Sequence, residues 1–146
     1  MLSYNNNLPS CIVCDLDGTI SLPIFRSIDD LTKVSEDLPN RQLIRMLRVL
    51  NKYYRIIFVS EREATQACYE NSFNWLVDNF GPNNDKNTYG WILYMREEGN
   101  KEPDIKIKSD IYYDRILPYY NVVTVFDDKH SAVRAWRDIG LFCCQV

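Results

Sequence analysis

A single histidine, His130, is all this sequence offers. The usual zinc sites, built from histidine and cysteine pairs, therefore lack their ligands. A serine or cysteine nucleophile activated by histidine would need that one residue beside it, and nothing in the pattern puts it there. The five cysteines are an odd number and do not read as a disulfide framework. Cys11 and Cys14 stand at an odd spacing on an expected strand, so they face opposite sides of a sheet, as do the adjacent Cys143 and Cys144. They read as small buried residues in a reducing compartment. No apolar run approaches the length of a membrane span. The opening Met1-Leu-Ser-Tyr-Asn-Asn-Asn lacks the basic start and apolar core of a signal peptide. A net charge of −3 provides no broad basic field for gripping long nucleic acid. The expectation is one cytoplasmic domain over residues 1–146, with no membrane contact.

What is present is organised around Cys11-Ile-Val-Cys-Asp-Leu-Asp-Gly-Thr19. Its apolar run predicts a buried strand that stops at a carboxylate. Asp15 and Asp17 then stand where the strand leaves the sheet. Two acids at such a place are costly unless something pairs with them, and a divalent metal is the usual partner. Gly18 permits a sharp turn and close backbone approach. Thr19 adds a hydroxyl.

Beyond it, Ile20 to Leu38 is irregular, with Pro23, two acidic clusters and an isolated Arg26; it is either a flap or a connection. A helix is expected from Pro39 to Tyr53, with Leu43, Ile44, Leu47 and Leu50 on one face. Arg41, Arg45, Arg48 and Lys52 line the opposite face, as a solvated helix back or a polyanion contact. Arg55 to Ser60 is a strand ending on a hydroxyl. Thr65 to Phe80 is a helix with Ala67, Cys68, Trp75 and Leu76 available for packing. Gly81 to Asp85 is a turn, Trp91 to Met95 a strand, and Arg96 to Pro103 an exposed loop. A helix spans Asp104 to about Leu117. Asn121 to Phe126 is a strand ending on Asp127-Asp128. A last helix points Val133, Trp136 and Ile139 inward, with Gly140 at its end. Leu141 to Val146 is a short strand.

Strands alternating with helices predict an α/β fold: one doubly wound, mostly parallel sheet. Such sheets bind ligands at the carboxyl ends of their strands. Asp15, Ser60 and Asp127 therefore meet at one edge, with Asp17, Thr19, Asp128 and Lys108 near them. Acids with a magnesium ion can hold and polarise a phosphoryl group. Hydroxyls and a lysine can bind its oxygens. One carboxylate can attack phosphorus, and a second can act as general acid and then base. Every member has a task in phosphate hydrolysis.

These residues resemble the haloacid-dehalogenase-like (HAD) phosphatase superfamily, with its Rossmann-like fold. Asp15-Leu-Asp-Gly-Thr19 matches its first motif, Ser60 the second, Lys108 the third and Asp127-Asp128 the fourth. The resemblance implies Asp15 as nucleophile and Asp17 as acid/base. It implies Mg²⁺ held by the Asp15 side chain, the Asp17 carbonyl and Asp128, with Asp127 assisting. It also implies phosphate held by Thr19, Ser60 and Lys108. A closer similarity, over nearly the whole chain, is to the 3′-phosphatase domain of phage-type polynucleotide kinase/phosphatase. It is carried by Ser60-Glu-Arg-Glu63, Met95-Arg-Glu-Glu-Gly99, Asp104 with Lys108, Phe126-Asp-Asp-Lys129 and the tail from Ala135 to Val146. That family adds Arg26, Arg62 and Asp104 as contributors to activity, read here as substrate-binding positions. It implies 3′ ends of DNA or RNA as partners and a phage or viral origin in host cytoplasm, and leaves open whether a separate kinase or ligase works alongside.

Two departures stand out. Glu61 occupies a position where the family usually has glycine, and a carboxylate turned inward there would repel phosphate. No G-x-x-x-x-G-K-[ST] loop is present, so no kinase activity is expected. The spans on either side of Ser60 leave no room for a large cap domain, and an open site admits a polymer end. The Arg41–Lys52 face and Lys101 or Lys106 would then meet the backbone. Two alternatives stay open at this point: a capless phosphatase of a nucleotide or other small ester, and a non-catalytic binder of nucleic-acid ends.

Overall fold

The computed structural model describes residues 4–146; Met1, Leu2 and Ser3, part of the polar N-terminal stretch, lie outside the described residues. Strand β1 (Ser10–Asp15) is the centre of the sheet, and its alternation explains why. Ile12 and Cys14 enter one apolar cluster, while Cys11 and Val13 enter another on the opposite face. A strand apolar on both faces is stable only with helices over each. It pairs in parallel with β4 (Arg55–Glu63) on one side and β6 (Asn121–Asp127) on the other. Beyond these lie β5 (Trp91–Arg96) and β7 (Cys143–Gln145), also parallel, giving the order β5-β4-β1-β6-β7. The chain winds outward from β1 through β4 to β5, then returns to β6 and β7. The reversal falls between β1 and β6, where ligands bind in doubly wound sheets.

One face is covered by α1 (Arg41–Leu50) and α2 (Gln66–Asn79). Their Leu43, Ile44, Leu47, Trp75 and Leu76 pack on Ile56, Phe58 and Leu93. The other face is covered by α3 (Asp104–Ile111) and α4 (His130–Asp138), with Val133 and Trp136 against Val13, Ile57 and Val125. All five cysteines are free thiols. Cys143 joins the second cluster and Cys144 packs against the first, as their adjacency requires. Burial pushes the Cys11 thiol up to about 12, so it is inert.

Several boundaries differ from the sequence reading. Helix α1 begins at Arg41, because Asn40 accepts the Leu43 amide and caps it. Pro39 instead ends β3 (Leu38–Pro39), which pairs antiparallel with β2 (Ser21–Leu22). The irregular segment between them contains a 3₁₀ turn over Leu31–Glu36 and is no separate domain. Strand β4 continues past Ser60 to Glu63, with a bulge between Ser60 and the pairing of Glu63 with Arg96. Ala67 faces solvent, and the buried residues of α2 are Cys68, Ser72, Trp75 and Leu76. The helix expected over Asp104–Leu117 changes pitch at Tyr112, with the Leu117 amide reaching the Tyr112 carbonyl over a wider turn. The basic face of α1 is exposed, but Arg48 is committed: its Nε and Nη2 donate to the carbonyls of Phe80 and Asn79 at the end of α2. Among the described residues no helix is long and apolar enough to cross a membrane.

Candidate active site

The turn after β1 is wound tightly. Thr19, Ile20 and Ser21 all donate their amides to the Leu16 carbonyl, and the Gly18 amide donates to the Ser21 carbonyl. Gly18 has φ +83°, and a Cβ built on it would lie 2.2 Å from Asp128 Oδ2. The glycine therefore lets the β6 acid approach the β1 turn. Thr19 Oγ1 sits 3.0 Å from Asp15 Oδ2 and 3.2 Å from Asp128 Oδ1, serving one or the other with its proton.

Asp15, Asp127 and Asp128 offer carboxylate oxygens that all lie within 4.8 Å of one another. Lys108, from α3, enters this group from behind. Its ammonium is 2.9 Å from Asp15 Oδ1, 2.8 Å from Asp127 Oδ2 and 3.4 Å from Glu61 Oε2. Asp127 is further held by the Trp136 indole at 3.1 Å and the Lys129 amide at 3.2 Å. Asp15 Oδ1 is close to Lys108 but accepts no aligned hydrogen bond and is shielded from solvent. Burial drives the Asp15 carboxyl well up; Lys108 opposes this, while Asp127 and Glu61 add to it. Burial alone would lower Lys108, but Asp15, Glu61 and Asp127 together hold it well above its ordinary value. Trp136→Phe removes the indole donor to Asp127 and part of a buried ring, and should cost about 2–4 kcal/mol in chemical denaturation.

An inner network fixes Asp17. Arg26 Nη2 and Arg62 Nη2 both donate to Asp17 Oδ1 at 2.7 Å, and Arg62 Nε donates to Oδ2 at 2.8 Å. Both arginines also bind Asp37, whose oxygens lie 2.7 Å from Arg26 Nε and 2.9 Å from Arg62 Nη2. Ser21 donates to Asp37 at 2.6 Å, Arg62 Nη1 reaches Ser72, and the Trp75 indole holds the Asp37 carbonyl. The side chains of Arg26, Arg62 and Asp37 are each 1% exposed. The geometry thus directs Arg26 and Arg62 to Asp17 and Asp37. Asp104 is likewise engaged, with Oδ1 on Arg96 at 2.7 Å and Oδ2 on Lys129 at 2.9 Å. Ser60, at the end of the regular part of β4, accepts the Arg62 amide, leaving its own proton for another acceptor.

These groups open on a cleft of about 730 Å³, lined by Asp17, Glu61, Arg62 and Asp128, and further out by Ile28, Arg96, Lys101, Asp104 and Lys129. Asp15, Thr19, Ser60 and Lys108 lie behind that lining, nearly or fully buried. Of the two lysines expected at the mouth, Lys101 lines the cleft and pairs with Glu63, whereas Lys106 bonds Asp110 along α3. The segment 20–38 contributes Ile28, Asp29 and Leu31 to the cleft wall, so it flanks the site. Sequence reasoning missed Asp37, Ser21, Ser72, Arg96 and Trp136. No local pattern distinguishes these from ordinary polar or core residues, since their importance comes from partners distant in the chain.

The donor set suits a hard divalent cation: oxygen ligands, one of them buried and without a hydrogen bond. Asp15, Asp127 and Asp128 offer the carboxylate oxygens that could hold it, Asp127 also facing Lys108.

Known proteins resemble this chain. A family model, "Polynucleotide kinase PNKP phosphatase domain", matches residues 9–146. A protein of Autographa californica nuclear polyhedrosis virus, named as a bifunctional polynucleotide kinase/RNA ligase, is 30% identical over 137 residues, covering 93% of this chain and 19% of that protein. Two solved structures of the Pnkp1/Rnl/Hen1 complex, one described as an RNA repair complex, contain chains 28% identical to this one, with TM-scores of 0.85 and 0.86. They cover 99% of this chain and 44% and 47% of their own. The chain thus spans about a fifth of the viral relative and under half of the structural ones, and with residues 9–146 matched it belongs to the family of polynucleotide kinase PNKP phosphatase domains.

Proposed function

We propose that this chain is a Mg²⁺-dependent phosphomonoesterase that removes 3′-phosphates from DNA or RNA ends, leaving 3′-hydroxyls for a separate ligase or polymerase. The observation that carries this reading is Asp15: a buried carboxylate with an unbonded oxygen, between Lys108, Thr19 and the Asp127–Asp128 pair. Nothing in a merely structural role calls for that combination. The bound cation would neutralise phosphate charge and polarise the phosphoryl group.

Asp15 attacks phosphorus, and the bond to the 3′-oxygen breaks as Asp17 gives that oxygen a proton. Asp17 then takes a proton from water, which attacks the aspartyl phosphate and releases phosphate and free Asp15. Arg26 and Arg62 keep Asp17 aimed at the cleft through both steps. Lys108, Ser60 and Thr19 supply donors to the phosphoryl oxygens. The open cleft, with Lys101 and Lys129 among the acids of its wall, suits a polymer end better than a small enclosed ester. The relatives' description as a polynucleotide kinase phosphatase domain and an RNA repair complex supports the same substrate class.

The test is phosphate release with Mg²⁺ from an oligonucleotide bearing only a 3′-phosphate, beside its 5′-phosphate twin and a 3′-mononucleotide. Release from the 3′-phosphorylated oligomer is expected. Equal release from the mononucleotide would instead mark a phosphatase of small esters, and no release from any would leave a binder of ends. A second variant probes the metal arrangement. Gly18→Ala forces a methyl group onto Asp128 and into a backbone conformation costing about 1–2 kcal/mol. Its Mg²⁺-dependent turnover should fall at least about tenfold, with a raised Mg²⁺ requirement in a titration.

A further inference from the structure

Glu61 has no task in the reaction above, yet it turns inward. It follows Ser60 at the bulge of β4, where the strand leaves its register with β5. Its Oε2 is shielded from solvent and accepts no hydrogen bond. It lies 3.4 Å from the Lys108 ammonium, which Asp15 and Asp127 already approach to 2.9 and 2.8 Å. Asp127 has the Trp136 indole and the Lys129 amide as further donors, and Asp15 has Thr19. Asp15 Oδ1 also lacks a hydrogen bond, but its carboxylate is held by Thr19 through Oδ2, whereas Glu61 has only an ammonium shared with two other acids. Holding a carboxylate there is costly.

We propose that Glu61 is a phosphate-release residue: its charge beside Lys108 weakens the site's hold on inorganic phosphate and on the bound phosphomonoester. The inference rests on the phosphatase reading above. A phosphate entering the site must draw donors from Lys108, and its negative charge then faces Glu61 across that ammonium. The repulsion is greatest for the dianionic ester and the dianionic product. In a loose, metaphosphate-like transition state, charge has moved from the phosphoryl oxygens toward the leaving oxygen. Glu61 therefore opposes ground state and product more than the transition state, which raises KM and speeds product departure without an equal loss in kcat/KM. The competing role for such a residue is to hold Lys108 in place, and that role has the opposite signature: removing Glu61 would weaken phosphate binding.

The experiment measures inorganic phosphate binding by calorimetry in Mg²⁺ for the unaltered chain and for Glu61→Gln and Glu61→Gly. The first variant keeps the shape and removes the charge; the second removes the side chain altogether. Steady-state kinetics on the 3′-phosphorylated oligonucleotide, with phosphate as product inhibitor, accompany it. Both variants should bind phosphate about tenfold more tightly, the scale of two charges several ångströms apart with Lys108 between them and solvent nearby. KM should fall in step, and kcat should fall or stay level. Unchanged or weaker phosphate binding in either variant overturns the proposal and assigns Glu61 to holding Lys108. Failure of the phosphatase reading itself would show separately, as absence of turnover by the unaltered chain.

Discussion

Asp15→Asn is expected to lower turnover of a 3′-phosphorylated oligonucleotide by at least about a thousandfold, the scale on which loss of a covalent nucleophile is felt. The amide cannot attack phosphorus and offers one oxygen where the carboxylate offered two. The fold should survive the change. Asp15 is at the end of β1 with its backbone paired to Val59, and the isosteric amide keeps the Thr19 contact within reach. Stability should even rise at neutral pH. Burial raises the Asp15 carboxyl above its ordinary value, so the folded state is penalised for ionising it as pH climbs through and beyond the ordinary carboxylate range. The penalty is absent at low pH, and asparagine never incurs it. Thermal unfolding at pH 7 should place the variant at or above the unaltered chain, with the difference vanishing in acid. Retained turnover would remove Asp15 from the reaction. A collapse in unfolding temperature would mean that its charge is structural, needed to balance Lys108.

Asp37→Asn is expected to have the largest effect on stability. Asp37 neither lines the cleft nor touches a phosphoryl group, but it neutralises two guanidinium groups that are withdrawn from water. Asparagine leaves Arg26 and Arg62 sharing Asp17 alone and turns an amide donor toward their donors. Breaking a buried pair in this way costs about 3–5 kcal/mol. For a chain of this size that corresponds to a fall of about 10 °C in Tm. The exposed Lys106–Asp110 pair on α3 provides the contrast. Asp110→Asn should change stability by less than about 1 kcal/mol, because solvent screens that pair and its side chains remain mobile. Turnover of Asp37→Asn, measured well below its unfolding temperature, should also fall, because Asp17 loses the frame that aims it. An Asp37 variant as stable as the Asp110 variant would show that the arginines are balanced by other means.

The two variants divide the site into its halves. Asp15 belongs to the half that a linear motif announces, since strand, turn and acid are contiguous. Asp37 belongs to the half assembled from segments far apart in the chain: it joins Arg26 from the same connection to Arg62 on β4, Ser72 on α2 through Arg62, and Asp17 on the turn after β1. Nothing in the stretch Ser35-Glu-Asp37 separates the buried acid from its neighbour; Glu36 is exposed and Asp37 is not.

The α/β alternation, the parallel sheet and the placing of Asp15, Ser60 and Asp127 at one edge were legible from the residues alone. Each follows from local patterns, apolar runs ending at polar residues and helical periodicity between them, combined with the one handedness that βαβ connections adopt. Boundaries followed less well wherever a side chain overrode the apolar pattern. Asn40 starts α1 later than Pro39 suggested, and a bulge carries β4 on to Glu63. Tertiary structure alone decided where the charged side chains point. It turned Arg26 and Arg62 inward to Asp17 and Asp37, tied Asp104 between Arg96 and Lys129, and brought Glu61 against Lys108. The physical reason is range. Secondary structure answers to neighbours a few residues away, whereas a buried charge settles on whichever opposite charge the completed fold places within about 3 Å, and that partner can lie anywhere in the chain.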